Sequence, residues 1–140
     1  MAMTYRIALL DGGAAGLQET EERLRLYEKE HPGHGMEIAC FMETAPFMEA
    51  VCGGLEDGEH AFHILFMDIS MQDGNGVEDA RVLRQKGFGG VIILKAASAE
   101  YAVEAWTVGA LYYLVSPVSR EKFDRAVEKA VRKVRQRYFV

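Results

Sequence analysis

The feature that most constrains this chain is a five-fold alternation of short apolar runs with helix-like segments. Ile7 to Leu10 is a short apolar run, stopped by Asp11-Gly12-Gly13. A charged segment from about Leu17 to Glu30 follows, with Leu17, Leu24 and Tyr27 as a thin apolar stripe, and His31-Pro32-Gly33 ends it. Met36 to Phe41 predicts a second strand. Pro46 suits the first turn of a short helix reaching about Val51, closed by Gly53-Gly54. Phe62 to Met67 is a continuous apolar run, as expected of a strand buried on both faces of a parallel sheet. Gly74-Asn75-Gly76 is a turn in which Asn75 is placed to cap a helix bearing Val77, Ala80 and Leu83. Val91 to Leu94 and Leu111 to Val115 are further strands, with a helix from Glu100 to Val108 between them. In the last segment Phe123, Ala126, Val127, Ala130, Val131 and Val134 recur at spacings of three and four, one apolar stripe on a charged helix.

Alternating β and α elements imply a parallel sheet with helices on both faces, and right-handed crossovers restrict its topology. Ligand sites in such sheets lie beyond the carboxyl ends of the strands. That rule selects Asp11, Asp68, Lys95-Ala96 and Ser116, which follow the first, third, fourth and fifth strands. Two carboxylates brought together attract a hard divalent cation such as Mg2+, and a carboxylate beside Mg2+ can accept a phosphoryl group. Two aspartates that each cap the loop after their own strand would give the same spacing.

Composition narrows the class further. The chain has 140 residues, enough for one core, and 49% of them are hydrophobic, so the core can be filled. A net charge of −5 argues against the whole domain being a nucleic-acid grip. The charge is uneven: residues 120–140 carry eight Lys/Arg against three Asp/Glu, which in the absence of a DNA-binding motif reads as a solvated helix face. Cys40 and Cys52 make no C-x-x-C pair and are expected to be buried, reduced thiols. No signal peptide or membrane span is legible, which favours a cytoplasmic protein. His31 and His34 flank a turn, and His60 and His63 lack the further ligands of a zinc site. Met67 and Met71 are expected to pack around the strand-end site, and Trp106 to be a core or interface aromatic.

Three segments carry a family resemblance. Asp68-Ile69-Ser70-Met71-Gln72-Asp73-Gly74-Asn75-Gly76, the run from Val91 through Lys95-Ala96-Ala97-Ser98 to Trp106, and Val108-Gly109-Ala110-Leu111-Tyr112-Tyr113-Leu114-Val115-Ser116-Pro117 resemble, in order, three patterns of response-regulator receiver domains. The second and third are most like the LytTR-type transcriptional regulators. The resemblance implies a three-layer (βα)5 flavodoxin-like fold with strand order 2-1-3-4-5, over residues 1–131. Residues 132–140 would then be the end of the last helix and the start of a linker to a DNA-binding domain outside this chain. It implies that Asp68 is the phosphoryl acceptor from a sensor histidine kinase. Mg2+ would be held by Asp11, Asp68 and the backbone carbonyl of Ser70, with Tyr113 as the switch aromatic. It also implies a homodimer through the fourth helix, fifth strand and fifth helix, contact with DNA only through the absent domain, and a signalling role rather than an enzymatic one.

The pattern is broken at four positions. Gly12 stands for the second acid, Ala96 for the hydroxyl residue, Ser116 for the lysine, and Gln72 for a proline. Losing one acid matters to a cation, since unit charges ~4 Å apart interact by about 4 kcal/mol at an intermediate dielectric. Charge-assisted hydrogen bonds are worth roughly 1.5–3 kcal/mol each, and a full switch takes about 5.5 kcal/mol, so losing the hydroxyl and the lysine removes much of the conformational drive. The alternative is therefore a phosphorylation-independent pseudo-receiver that acts as a dimerisation or protein-interaction module. Lys95 is an auxiliary candidate beside the vacant hydroxyl position, although the pleat, which alternates side chains between faces, argues against its reaching the site. An enzyme on the same fold finds no nucleophile–base pair or cofactor fingerprint.

Overall fold

The structure is a computed structural model and describes residues 3–56, 61–71 and 75–138. His60, Gln72, Asp73, Gly74, Phe139 and Val140 lie outside the described residues, and so does what was expected of them. The strands are β1 (Met3–Leu10), β2 (His34–Phe41), β3 (Ile64–Asp68), β4 (Val91–Ala96) and β5 (Tyr112–Val115). The helices are α1 (Ala14–Glu30), α2 (Thr44–Glu56), α3 (Gly76–Gln85), α4 (Ala102–Thr107, entered through a 3-10 turn at Ala99–Tyr101) and α5 (Arg120–Tyr138). The sheet is parallel, in the order β2-β1-β3-β4-β5.

Strict alternation along the inner strands makes the three layers. Ile7, Leu9, Ile64, Phe66, Val91, Ile93 and Leu114 pack on one side, against Leu24 and Tyr27 of α1 and the Phe123–Val134 stripe of α5. Ala8, Leu10, Leu65, Met67, Ile92, Leu94 and Ala96 pack on the other, against Phe47 and Val51 of α2 and the Val77, Ala80 and Leu83 face of α3. Removing that much apolar surface from water, at about 25 cal/mol per Å2, is the main favourable term holding the layers together. Period-2 strands between period-3.6 helices therefore deliver one face of side chains to each pair of helices.

Several element boundaries differ from the sequence expectation. α1 begins at Ala14 rather than near Leu17. α2 runs through Gly53 and Gly54 to Glu56. Glycine costs a helix about 1 kcal/mol, and the packing of Val51, Cys52 and Leu55 on the core outweighs it. β4 extends two residues further than expected, to Ala96, because Ile69 and Ser116 donate backbone hydrogen bonds to the carbonyls of Lys95 and Ala96. Asn75 caps α3 as expected, its side-chain oxygen accepting from the Glu78 N–H.

One side-chain expectation is corrected and another narrowed. Cys40 is exposed because β2 is an edge strand, and Cys52 is only half-buried; both are free. Trp106 is 82% exposed, which excludes a core role in this chain. Met67 is fully buried, as expected, and the Ser116–Pro117 peptide is cis. Among the described residues no helix is long and apolar enough to cross a membrane.

Candidate functional site

The carboxyl ends of β1, β3, β4 and β5 converge on a cavity of about 200 Å3. Asp11, Asp68, Lys95 and Ser116 line its polar end, and Leu17, Phe66, Leu114 and Phe123 its apolar floor. The two aspartates singled out in the sequence therefore share one cleft. Asp11 is buried, 7% exposed, immediately past β1. Its Oδ1 accepts the Gly13 N–H at 2.9 Å, at the start of α1. Negative charge is favourable at that end of a helix. Its Oδ2 accepts from Lys95 Nζ at 2.7 Å. Gly16 makes room for this arrangement, since a Cβ there would fall 2.6 Å from Oδ2.

Lys95 overturns the expectation drawn from the pleat. The alternation holds, but the register puts Lys95 opposite Asp68 and Ala96 opposite Val115. Residues paired across a sheet share a face, so Lys95 and Asp68 project together. Ala96 turns the other way and is buried. It lines a second cavity, of about 370 Å3, with Ser70, Met71, Ser98 and Tyr101. Ala96 and Ser116, expected to flank one site, thus lie on opposite sides of the sheet end.

Asp68 is half-buried. Its Oδ1 accepts twice from Ser70, from the backbone N–H at 2.9 Å and from the hydroxyl at 2.5 Å. Ser70 thereby restrains the acceptor candidate through its side chain, a role the sequence did not suggest. A Cβ built at Gly12 would lie in ordinary van der Waals contact with Met71 Cε, at 3.4 Å, so the Met71 side chain flanks the position where a second acid would stand. Met71 does pack around the site, as expected. The Tyr113 hydroxyl donates to the Ser98 carbonyl at 2.7 Å, which holds the ring against the loop after β4. Burial, foremost, raises the pKa of this phenol.

The three described histidines make structural contacts. His63 Nδ1 accepts the Arg6 N–H, His31 stacks on Tyr27, and His34 stacks on Tyr5 and bonds its hydroxyl. Among the described residues no group of three or more His, Cys, Asp or Glu is placed to hold a metal ion.

The five-stranded parallel fold, with two aspartates at its strand ends, agrees with one signalling family. The model of the response regulator receiver domain matches residues 24–128. This chain belongs to that family. The matched stretch contains Asp68, Lys95, Tyr113 and Ser116 and starts after Asp11. Receiver domains are signalling modules of two-component systems rather than classical enzymes, and they work with sensor kinases. The LytTR likeness is more distant. The chain is 33% identical over 66 residues to the sensory transduction protein LytT of Bacillus cereus, covering 47% of this chain and 27% of that protein. It is 29% identical over 68 residues to the transcriptional regulatory protein LytR of Staphylococcus aureus, covering 49% and 28%. The match thus spans only about a quarter of these relatives' length. Among solved structures, the response regulatory domain of mrkE from Klebsiella pneumoniae superposes with a TM-score of 0.75 at 20% identity, covering 94% of this chain and 98% of that one. A receiver domain from Clostridium thermocellum gives a TM-score of 0.75 at 17% identity, over 94% and 98%. These two likenesses establish the fold.

Receivers typically bind Mg2+, and the residues present fit that ion poorly. Mg2+ demands a near-ideal shell of oxygen ligands and sheds water reluctantly. Here one carboxylate is already paired with an ammonium, the other is engaged by Ser70, and Gly12 offers no side-chain oxygen.

Proposed function

We propose that this domain is a receiver that works as a phosphorylation-independent interaction module, the pseudo-receiver alternative raised by its sequence. The Lys95–Asp11 ion pair carries this reading. A phosphoryl group on Asp68 would meet a lysine already committed to another carboxylate. It would find no cation at Ser116. The differential interaction needed to throw a switch, several kcal/mol, then has few sources.

The signal would leave through the α4–β5–α5 face, as a homodimer contact. Val103, Trp106 and Val115 are exposed there, 75%, 82% and 40%, and exposed apolar groups so grouped favour association. One curated relative is named a transcriptional regulatory protein, which supports a transcriptional output; the LytTR-type resemblance would place that output in a C-terminal DNA-binding domain of a cytoplasmic regulator. Residues 1–131 would form the receiver, with the remainder of α5 leading toward that output.

A second reading keeps Asp68 as phosphoryl acceptor from a sensor histidine kinase, with Asp11 and the Ser70 carbonyl as residual metal contacts. It is favoured by the placement of Asp68, half-buried at the mouth of a cleft it shares with Asp11. Incubation with Mg2+ and a small acyl phosphate, followed by intact mass measurement with Asp68→Asn as control, separates the two. The first reading expects no adduct on Asp68. A stoichiometric adduct that also shifts the dimer equilibrium would establish the second.

A further inference from the structure

β1 and β4 are not neighbours: β3 lies between them. Adjacent strands are ~4.8 Å apart, so a lysine on β4 that bonds a carboxylate past β1 must span two strand spacings. The residue of β3 in register with Lys95 is Asp68. The Lys95 stem therefore crosses the end of β3, where Asp68 sits, and its ammonium ends on Asp11. The cavity's other cation, Arg23, is occupied elsewhere. It pairs with Glu19 at 2.8 Å, donates to the Val118 carbonyl at 2.8 Å, and lies over the Phe123 ring.

We propose that the Lys95 ammonium is the resident cation of this cleft, occupying the ground between the strand-end carboxylates so that the site rejects divalent ions. The proposal deepens the phosphorylation-independent reading and rests on the same site. Its physical basis is competition for one set of lone pairs. Asp11 has one oxygen on the Gly13 N–H and the other on Lys95, and Asp68 has one on Ser70. An incoming Mg2+ would have to break the ion pair, lose part of its own shell, and leave a partly buried ammonium beside a double positive charge. Uncompensated buried charge is strongly unfavourable. Side-chain exposures of 25% for Lys95 and 10% for Asp11 put the pair where water screens it only in part. A covalently tethered cation is also present at every metal concentration.

The test is Mn2+ binding, followed by electron paramagnetic resonance with Mg2+ as competitor, on the whole chain and on three variants. Lys95→Met removes the ammonium and keeps the stem. Lys95→Arg keeps the charge. Asp11→Asn with Lys95→Met removes both partners of the pair. Lys95→Met should bind Mn2+ at least about ten-fold tighter than the parent, with Lys95→Arg and the double variant staying at the parent's level. Circular dichroism melts establish that each variant is folded. Folded Lys95→Met with the parent's Mn2+ affinity would overturn the proposal, as would a parent that already binds tightly. The acyl phosphate experiment reports on the functional reading separately. A parent that takes no phosphoryl group, alongside a Lys95→Met that gains no metal, leaves that reading standing and this one lost. A parent phosphorylated without dependence on metal, alongside a Lys95→Met that gains Mn2+, does the reverse.

Discussion

Lys95 on β4 reaches Asp11 beyond β1 across the end of the intervening strand, with Nζ 2.7 Å from Oδ2. The contact ties the ends of β1 and β4 together across β3, at the rim of the sheet. It also gives a buried carboxylate its counter-charge, without which burial at 7% exposure would be costly.

Lys95→Ala should therefore destabilise the domain by about 1–3 kcal/mol, the range for losing a charge-assisted bond whose partner stays buried. The Gly13 N–H continues to serve Asp11 and keeps the loss below that of a fully orphaned charge. Urea unfolding reads the effect. Adding Asp11→Asn should recover a large part of it, because no unpaired carboxylate then remains.

Gly76→Ala should cost about 1–3 kcal/mol, as overpacking does. A Cβ at that position would fall 2.6 Å from the Cα of Ile69, the residue after Asp68. The helix start must then move off the loop that carries Asp68 and Ser70. The midpoint of thermal unfolding should fall, and the amide resonances of residues 68–70 should shift further than those of α5.

Acidification should weaken folding through His34. Burial foremost, then Arg135 and His31, holds this imidazole below its usual pKa, and it bonds the buried Tyr5 hydroxyl. A folded pKa below the unfolded value means that the unfolded chain takes up the proton first. The cost therefore appears as pH falls through the unfolded value, near ~6.5, and is complete below the folded one. The urea midpoint should drop more between pH 7.5 and pH 5.5 in the parent than in His34→Gln, both pH values being about one unit either side of that pKa. Equal drops would exclude His34 as a source.

Val103→Ser with Trp106→Ser should leave monomer stability within about 0.5 kcal/mol, since exposed side chains contribute little to folding. The same pair should weaken self-association measurably in sedimentation equilibrium. An unchanged dimer constant would move the interface away from α4.

The fold is largely legible in the sequence, and the reason is periodic. Buried strands such as Val91 to Leu94 and the three-and-four stripe from Phe123 to Val134 are each specified by local pattern. Boundaries were less legible because they are set by packing at a distance. Leu55 carries α2 past two glycines only because a core waits for it. At the site, Asp11 and Asp68 were predictable from their position after apolar strands. Gly16 and the Ser70 hydroxyl were not, since nothing in their spacing announces a close approach or a second hydrogen bond.

Lys95 marks the division most sharply. A lysine ending an otherwise apolar strand was a visible signal, because such a charge needs a partner. By itself the sequence determined the layered parallel sheet and the acids at its rim. Only the tertiary structure decided which face Lys95 occupies and which carboxylate it neutralises. Strand register, not sequence neighbourhood, sets which residues share a face, and a one-residue change of register would have sent the ammonium to the other side of the sheet.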